Sequence, residues 1–279
     1  MPLIAMNREI GSLGRDVAAG LEEALGMKTR HHEIIDHLAS RARIRKSHVV
    51  SFLEGRQGIM ERLTVDQLSL RILTADEILT IAESGEPVIL RGWGASSLLK
   101  DVPHALRVCV SASRRTRVKR MMERLEVEDA TQVERVVDEN DEAARAVMRR
   151  HFHIDTRDIN EYDMGFNTDR VPVSQCVDEI VKLVKSDEFA ETDESRARLR
   201  DLATEHHVRA ALRTHASTSH CKVRVTAVAG RVTLEGFVER IEQSESCSDI
   251  ASRIKGVTLL ENRLDVSEVS GIRRRFQPE

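Results

Sequence analysis
At 279 residues, with 41% hydrophobic and 32% charged side chains, the chain is long enough to build two domains with packed cores. A formal net charge of −3 argues against bulk nucleic-acid binding, which needs a basic surface. No stretch approaches the length of a membrane span, the apolar run Leu3–Met6 is too short for a secretion signal, and Cys109, Cys176, Cys221 and Cys247 show no paired spacing, so a cytoplasmic protein with reduced, packed thiols is expected.

The first predicted strand, 3–6, runs into Asn7-Arg8-Glu9-Ile10-Gly11-Ser12-Leu13-Gly14-Arg15. A helical pattern over 15–26 follows, with Val17, Leu21, Ala24 and Leu25 on one face. Strand, glycine turn and helix in that order let backbone N–H groups converge on an anion at the helix's positive end. The usual phosphate loop closes with Gly-Lys-Ser/Thr, whereas Arg15 follows Gly14 in this chain.

Helical patterns extend from 31–43 to about residue 84, then Val88-Ile89-Leu90 reads as a buried strand and 106–110 as another. Charged helices fill 114–150, with Arg117 and Arg120 at i, i+3 spacing, and a strand at 163–167 and a helix at 173–185 close the first unit. Short apolar strands alternating with helices predict an α/β fold, a parallel sheet with helices on both faces. The first domain is expected over 1–186, and the acidic stretch 187–196 reads as a linker.

Beyond it, a helix over 196–214 precedes the alternating strands 222–228 and 232–238, joined at Ala229-Gly230 as a hairpin. A helix at 241–254 and a strand at 257–266 complete a small α+β domain over 197–268, and 269–279 is a basic tail. His151-x-His153 and His206-His207 lack third and fourth partners for a metal, and Cys109 reads as a packing thiol. Trp93, the single tryptophan, suits either core or a platform for a base.

Residues 1–186 resemble the cytidylate kinase-like family of P-loop nucleoside monophosphate kinases. The resemblance rests on Arg8-Glu9-Ile10-Gly11-Ser12-Leu13-Gly14-Arg15, similar to that family's R-E-x-G-S-x-G-R opening, and continues through Gly92-Trp93-Gly94-Ala95, Arg117–Arg124, Arg149-Arg150-His151-Phe152 and Asn167-Thr168-Asp169-Arg170. Residues 197–268 resemble a BON domain through Val223-x-Val225, Gly230–Gly236, Gly256-Val257 and Asn262-Arg263-Leu264-x-Val266.

The resemblance implies transfer of a phosphoryl group from ATP, with Mg2+, to a pyrimidine nucleoside monophosphate such as CMP or dCMP. Carried over by position, Gly11, Ser12, Leu13, Gly14 and Arg15 would cradle the donor phosphates. Arg15, Arg117, Arg120 and Arg149 would carry catalysis, with Trp93 and Arg145 near the substrate. Residues 29–84 would hold the acceptor, and Asp141 and Asp169 are candidate metal carboxylates. The BON-like domain implies a small ligand, lipid or protein partner, and its hairpin edge could support a homo-oligomer.

The chain departs from the family pattern at Trp93, where an arginine is usual, at His31, where an aspartate is usual, and at Ala144, which leaves Arg145 one residue out of register. A second expectation follows from these departures. It is a pseudokinase, a nucleotide-sensing or partner-binding protein that keeps the fold without the turnover.

Overall fold
An unbroken apolar run, Leu3-Ile4-Ala5-Met6, can be buried on both faces only at the centre of a parallel sheet, and β1 (Leu3–Arg8) occupies that position. The computed structural model describes residues 2–30, 32–53, 66–92, 94–152 and 154–267. The expectations for His31, Trp93, His153 and the basic tail 269–279 therefore fall outside the described residues.

β1 lies between β3 (Val88–Arg91) and β4 (Ala105–Ser111), with Leu3 opposite both Val88 and Ala105. β2 (Lys28–Arg30) and β5 (Met164–Asn167) flank them, and all five strands are parallel in the order β2-β3-β1-β4-β5. β2 was not legible in advance: Lys28-Thr29-Arg30 is a short polar edge strand with no apolar signature.

One face of the sheet packs on α1 (Gly14–Leu25) and α8 (Val173–Val184), through Val17, Leu21, Cys176 and Ile180. The other face carries α2 (His32–Ala42), α3 (Lys46–Leu53), α4 (Gln67–Glu83) and the single turn α5 (Ala95–Leu98). α6 (Arg114–Leu125) and α7 (Ala130–Val147) pack together through Val118, Met121, Val133 and Val137, and α7 ends in a π-helical turn, Met148–Phe152. The parallel sheet covered on both faces is the predicted one.

The acidic stretch 187–196 holds a 3-10 turn and the start of α9 (Asp193–Thr214), closed by a Thr192–Ser195 capping box. Leu199, Ala203 and Ala210 of α9 enter the core beside Leu70, Leu73 and Ile78. Val208 and Leu212 serve a separate core with Val225, Val232 and Leu234. α9 thus belongs to both domains. β6 (Lys222–Val228) and β7 (Arg231–Val238) are antiparallel, and α10 (Ile241–Ser252) leads to β8 (Leu259–Val266), which runs parallel to β7. Ala229 and Gly230 both take positive φ in the hairpin turn, and Asp201 of α9 accepts both their N–H groups. Cys221 and Cys247, far apart in sequence, touch through their thiols.

Candidate functional site
The loop between β1 and α1 is pinned against α6. Gly11 has φ 76°, and a Cβ there would come 2.8 Å from the Arg117 carbonyl oxygen, so only glycine fits. Gly14 is equally constrained, because a Cβ would lie 2.7 Å from that of Arg8. Leu13 caps α1 in the left-handed region at φ 60°, ψ 15°, a conformation costing an L-residue roughly 1–2 kcal/mol.

Over this turn opens a groove of about 640 Å³, lined by Gly11–Asp16 and by Arg120 and Arg124 from α6. Arg120 is aimed at the loop: its guanidinium donates to the Thr168 hydroxyl at 2.9 Å, the Thr168 carbonyl at 2.8 Å and the Gly11 carbonyl at 3.3 Å. Thr168 in turn donates to the Ser12 carbonyl at 2.9 Å, tying the turn after β5 to the loop. None of these hydrogen-bond partners carries a charge, although the Arg120 charge also acts on nearby Asp169 and helps to lower its pKa.

Arg117 is placed differently. It is 4% exposed and grips Asp141 bidentately at 2.9 and 2.6 Å, with Glu9 at 3.5 Å and the Ala112 and Ile10 carbonyls completing its shell. Burial opposes its charge, but the hydrogen bonds to Asp141 and the charge of Glu9 outweigh that and raise its pKa. Arg117 therefore holds α6, α7 and the loop in register, and Asp141 is occupied by it. Asp169 accepts the Ser113 N–H at 3.0 Å, and the Ser113 hydroxyl, followed by that N–H, lowers its pKa.

On the other side of Arg8 and Glu9 lies a second cavity of about 610 Å³, bounded by Asn7, Asn140, Asp141, Arg145, Met148 and Tyr162. Asn7 donates to the Tyr162 hydroxyl at 2.6 Å, fixing one wall. Cys109 lines it too, but burial pushes its thiol up to about 11, which suits packing and not nucleophilic work. An adjoining smaller space reaches Ile35, Val50 and Leu53 of α2 and α3, and Arg91 at the end of β3. Burial, then the neighbouring charge of Arg15, lower the Arg91 pKa.

Of the residues expected from sequence, Gly11, Ser12, Leu13, Gly14, Arg15 and Arg120 meet at the groove, and Arg145 lines the second cavity. Arg149 is exposed on the π turn and borders neither space. Arg91 and Arg124 were not anticipated. Arg91 had a usable signal, a cation ending an otherwise apolar buried strand. Among the described residues, no group of three or more His, Cys, Asp or Glu side chains gathers around a metal position. The carboxylates of Glu9 and Asp16 do line the groove, a donor set that fits an ion holding most of its ligands from phosphate and water.

Residues 3–170 match the cytidylate kinase-like family, and residues 200–268 match the BON domain. None of the curated proteins matches the chain. Among solved structures, an uncharacterized protein from Eubacterium ventriosum ATCC 27560 is 21% identical over 67% of this chain and 99% of its own, with a TM-score of 0.53. A shikimate kinase from Bacteroides thetaiotaomicron is 14% identical over 66% of this chain and 99% of its own, with a TM-score of 0.41. A deoxyadenosine kinase from M. mycoides with bound dATP is 10% identical over the same shares, with a TM-score of 0.38. At these identities the first likeness is one of fold.

Proposed function
As the chain belongs to the cytidylate kinase-like family, we propose that it transfers a phosphoryl group from ATP to a pyrimidine nucleoside monophosphate, CMP or dCMP, in the cytoplasm. The observation that carries this reading is the meeting of two cavities end to end at Arg8 and Glu9, both of which line each space. A donor on the loop and an acceptor beside α7 would face each other across the C-terminal end of β1. In that pose the bond from the γ-phosphorus to ADP breaks as one to an acceptor phosphate oxygen forms. Little covalent chemistry is asked of the protein; alignment and cations are.

The loop's backbone N–H groups and Arg15 hold the donor phosphates, while Arg120 and Arg124 flank them from α6. Arg91 and Arg145 approach the acceptor phosphate from two sides, and planar guanidinium groups suit that task because they grip oxygens in pairs and stay charged. Arg117 acts through position, keeping α6 against the loop. Arg149 joins only if the turn 148–152 moves inward. Glu9 and Asp16 would hold a magnesium ion, which when bound offsets the charge of the phosphate chain.

The alternative, a nucleotide sensor without turnover, draws on the capture of Asp141 by Arg117 and of Asp169 by Ser113. ADP release from magnesium-ATP across a panel of nucleoside monophosphates, beside Arg15→Ala, separates the two. Turnover with CMP or dCMP that the substitution abolishes supports the kinase. ATP raising the melting temperature without any turnover supports the sensor.

A further inference from the structure
A cleft of about 690 Å³ lies between the two domains and shares none of the groove's residues. α4 and α5 form one wall, α9 and β6 the other, and the π turn Met148–Phe152 closes one end. Cations converge there. Arg71, Arg209, Arg213, Lys222 and Arg224 line it, and among the described residues no carboxylate does.

Arg209 and Arg213 are partly engaged, with Glu205 at 2.9 Å and Asp66 at 2.5 Å. The side chains of Arg71, Lys222 and Arg224 make no hydrogen bond or ion pair with the described residues. His206 adds a buried Nδ1 with no hydrogen-bond partner. Its burial, and then the charge of Arg209, bring its pKa down to about 4, so it lines the cleft as a neutral ring that adds no positive charge of its own. The rest of the lining is apolar, with Leu68, Ile72, Leu98, Leu212, Val223 and the Phe152 ring.

We propose that this interdomain cleft is a second ligand site, taking a soluble organic phosphate whose anionic head sits among Arg71, Lys222 and Arg224 and whose apolar or aromatic body lies on Leu98 and Phe152. Arg71, Lys222 and Arg224 repel one another with no carboxylate lining the cleft beside them, and an anion relieves that repulsion. A bare inorganic ion would leave the apolar wall wetted, whereas an organic body covers it. The volume falls in the range of pockets that enclose small organic ligands.

The cleft also has a physical route to the nucleotide side. Met148 lines the second cavity and the smaller space adjoining it, while His151 and Phe152, on the same π turn, line the cleft. The His151 ring packs on Phe52 of α3 with centroids 4.8 Å apart, next to Leu53 at the acceptor cavity. A body seated on Phe152 would thus fix the turn that carries Arg149.

Fluorescence titration of the full chain with 1-naphthyl phosphate tests the proposal, with inorganic phosphate as competitor. The variants are Arg71→Gln with Arg224→Gln for the cleft and Arg15→Gln for the loop. The expected result is saturable binding that the cleft variant weakens at least tenfold and Arg15→Gln leaves intact, with inorganic phosphate competing at least tenfold more weakly. Arg224 is exposed, so Arg224→Gln alone reports on the cleft should the double variant fold poorly. No binding, loss only in Arg15→Gln, or equal affinity for inorganic phosphate would each overturn it. Binding only to phosphatidylglycerol vesicles would overturn it as well, in favour of a membrane surface.

Discussion

Cations crowd two regions of this molecule, the loop groove and the seam where α2 and α9 pack on α4, and the two use them in opposite ways. At the seam, α4 buries Asp76 and Glu77 at 3% and 6% exposure, and positive groups come to them. Arg41 of α2 reaches Asp76 at 2.5 Å, and His207 of α9 reaches Asp76 at 2.5 Å and Glu83 at 2.9 Å. In the groove, Arg120 rests on uncharged oxygens, and burial together with the nearby charge of Arg15 lowers the pKa of Arg91. A cation matched to a buried carboxylate is glue, and one left among neutral oxygens or other cations is equipment for an anionic ligand. α6 shows both within one turn, in Arg117 and Arg120.

Substitutions can break this contrast, beginning with the largest effect. Arg15→Ala is expected to lower kcat/KM by about 10²–10³ while moving the urea midpoint little, since the lost interaction exists only with the phosphates bound. A large fall in stability would make Arg15 glue too. Asp76→Ala should do the reverse. Stripping a buried carboxylate from Arg41 and His207 should cost about 3 kcal/mol of unfolding free energy, read from denaturant titration. An unchanged midpoint would mean the seam is held by its apolar contacts alone.

The pH dependence sharpens the same point, because adjacent histidines carry opposite signs. Hydrogen bonds to Asp76 and Glu83 raise the His207 pKa to about 9. Its contribution to stability is complete below its unfolded value of about 6.5 and is lost as pH rises through about 9. His206, held down at about 4, has the reverse effect: stability falls as pH drops from about 6.5 towards 4. Urea unfolding across this range should show His207→Gln flattening the alkaline limb alone. An alkaline limb that survives in His207→Gln would place the titrating group elsewhere. The smallest effect is at the loop. Leu13→Gly removes left-handed strain of roughly 1 kcal/mol but adds glycine's unfolded-state freedom, so the net change should stay within about 0.5 kcal/mol.

Much of this was legible in the sequence, and what was not has a physical reason. The apolar runs at 3–6, 88–90 and 106–110 announced the central strands because burial on both faces leaves little room for polar residues. β2 escaped because an edge strand needs no such run. The i, i+3 spacing of Arg117 and Arg120 put both on one face of α6, but it could not say that Asp141, on another helix, takes the first and not the second. The sequence likewise placed a helix near 196–214, yet not that Leu199 and Ala203 pack into the first domain's core while Val208 packs into the second's. Spacing reports which face a residue occupies; burial and partners belong to the tertiary fold.

The most direct test of the central claim is product formation. The 279-residue chain is incubated with magnesium-ATP labelled at the γ-phosphate and with CMP, and the nucleotides are separated. The account predicts labelled CDP, or dCDP from dCMP, formed in step with ADP and absent with Arg15→Ala. Label found only in inorganic phosphate, or remaining wholly in ATP with every nucleoside monophosphate offered, would contradict it.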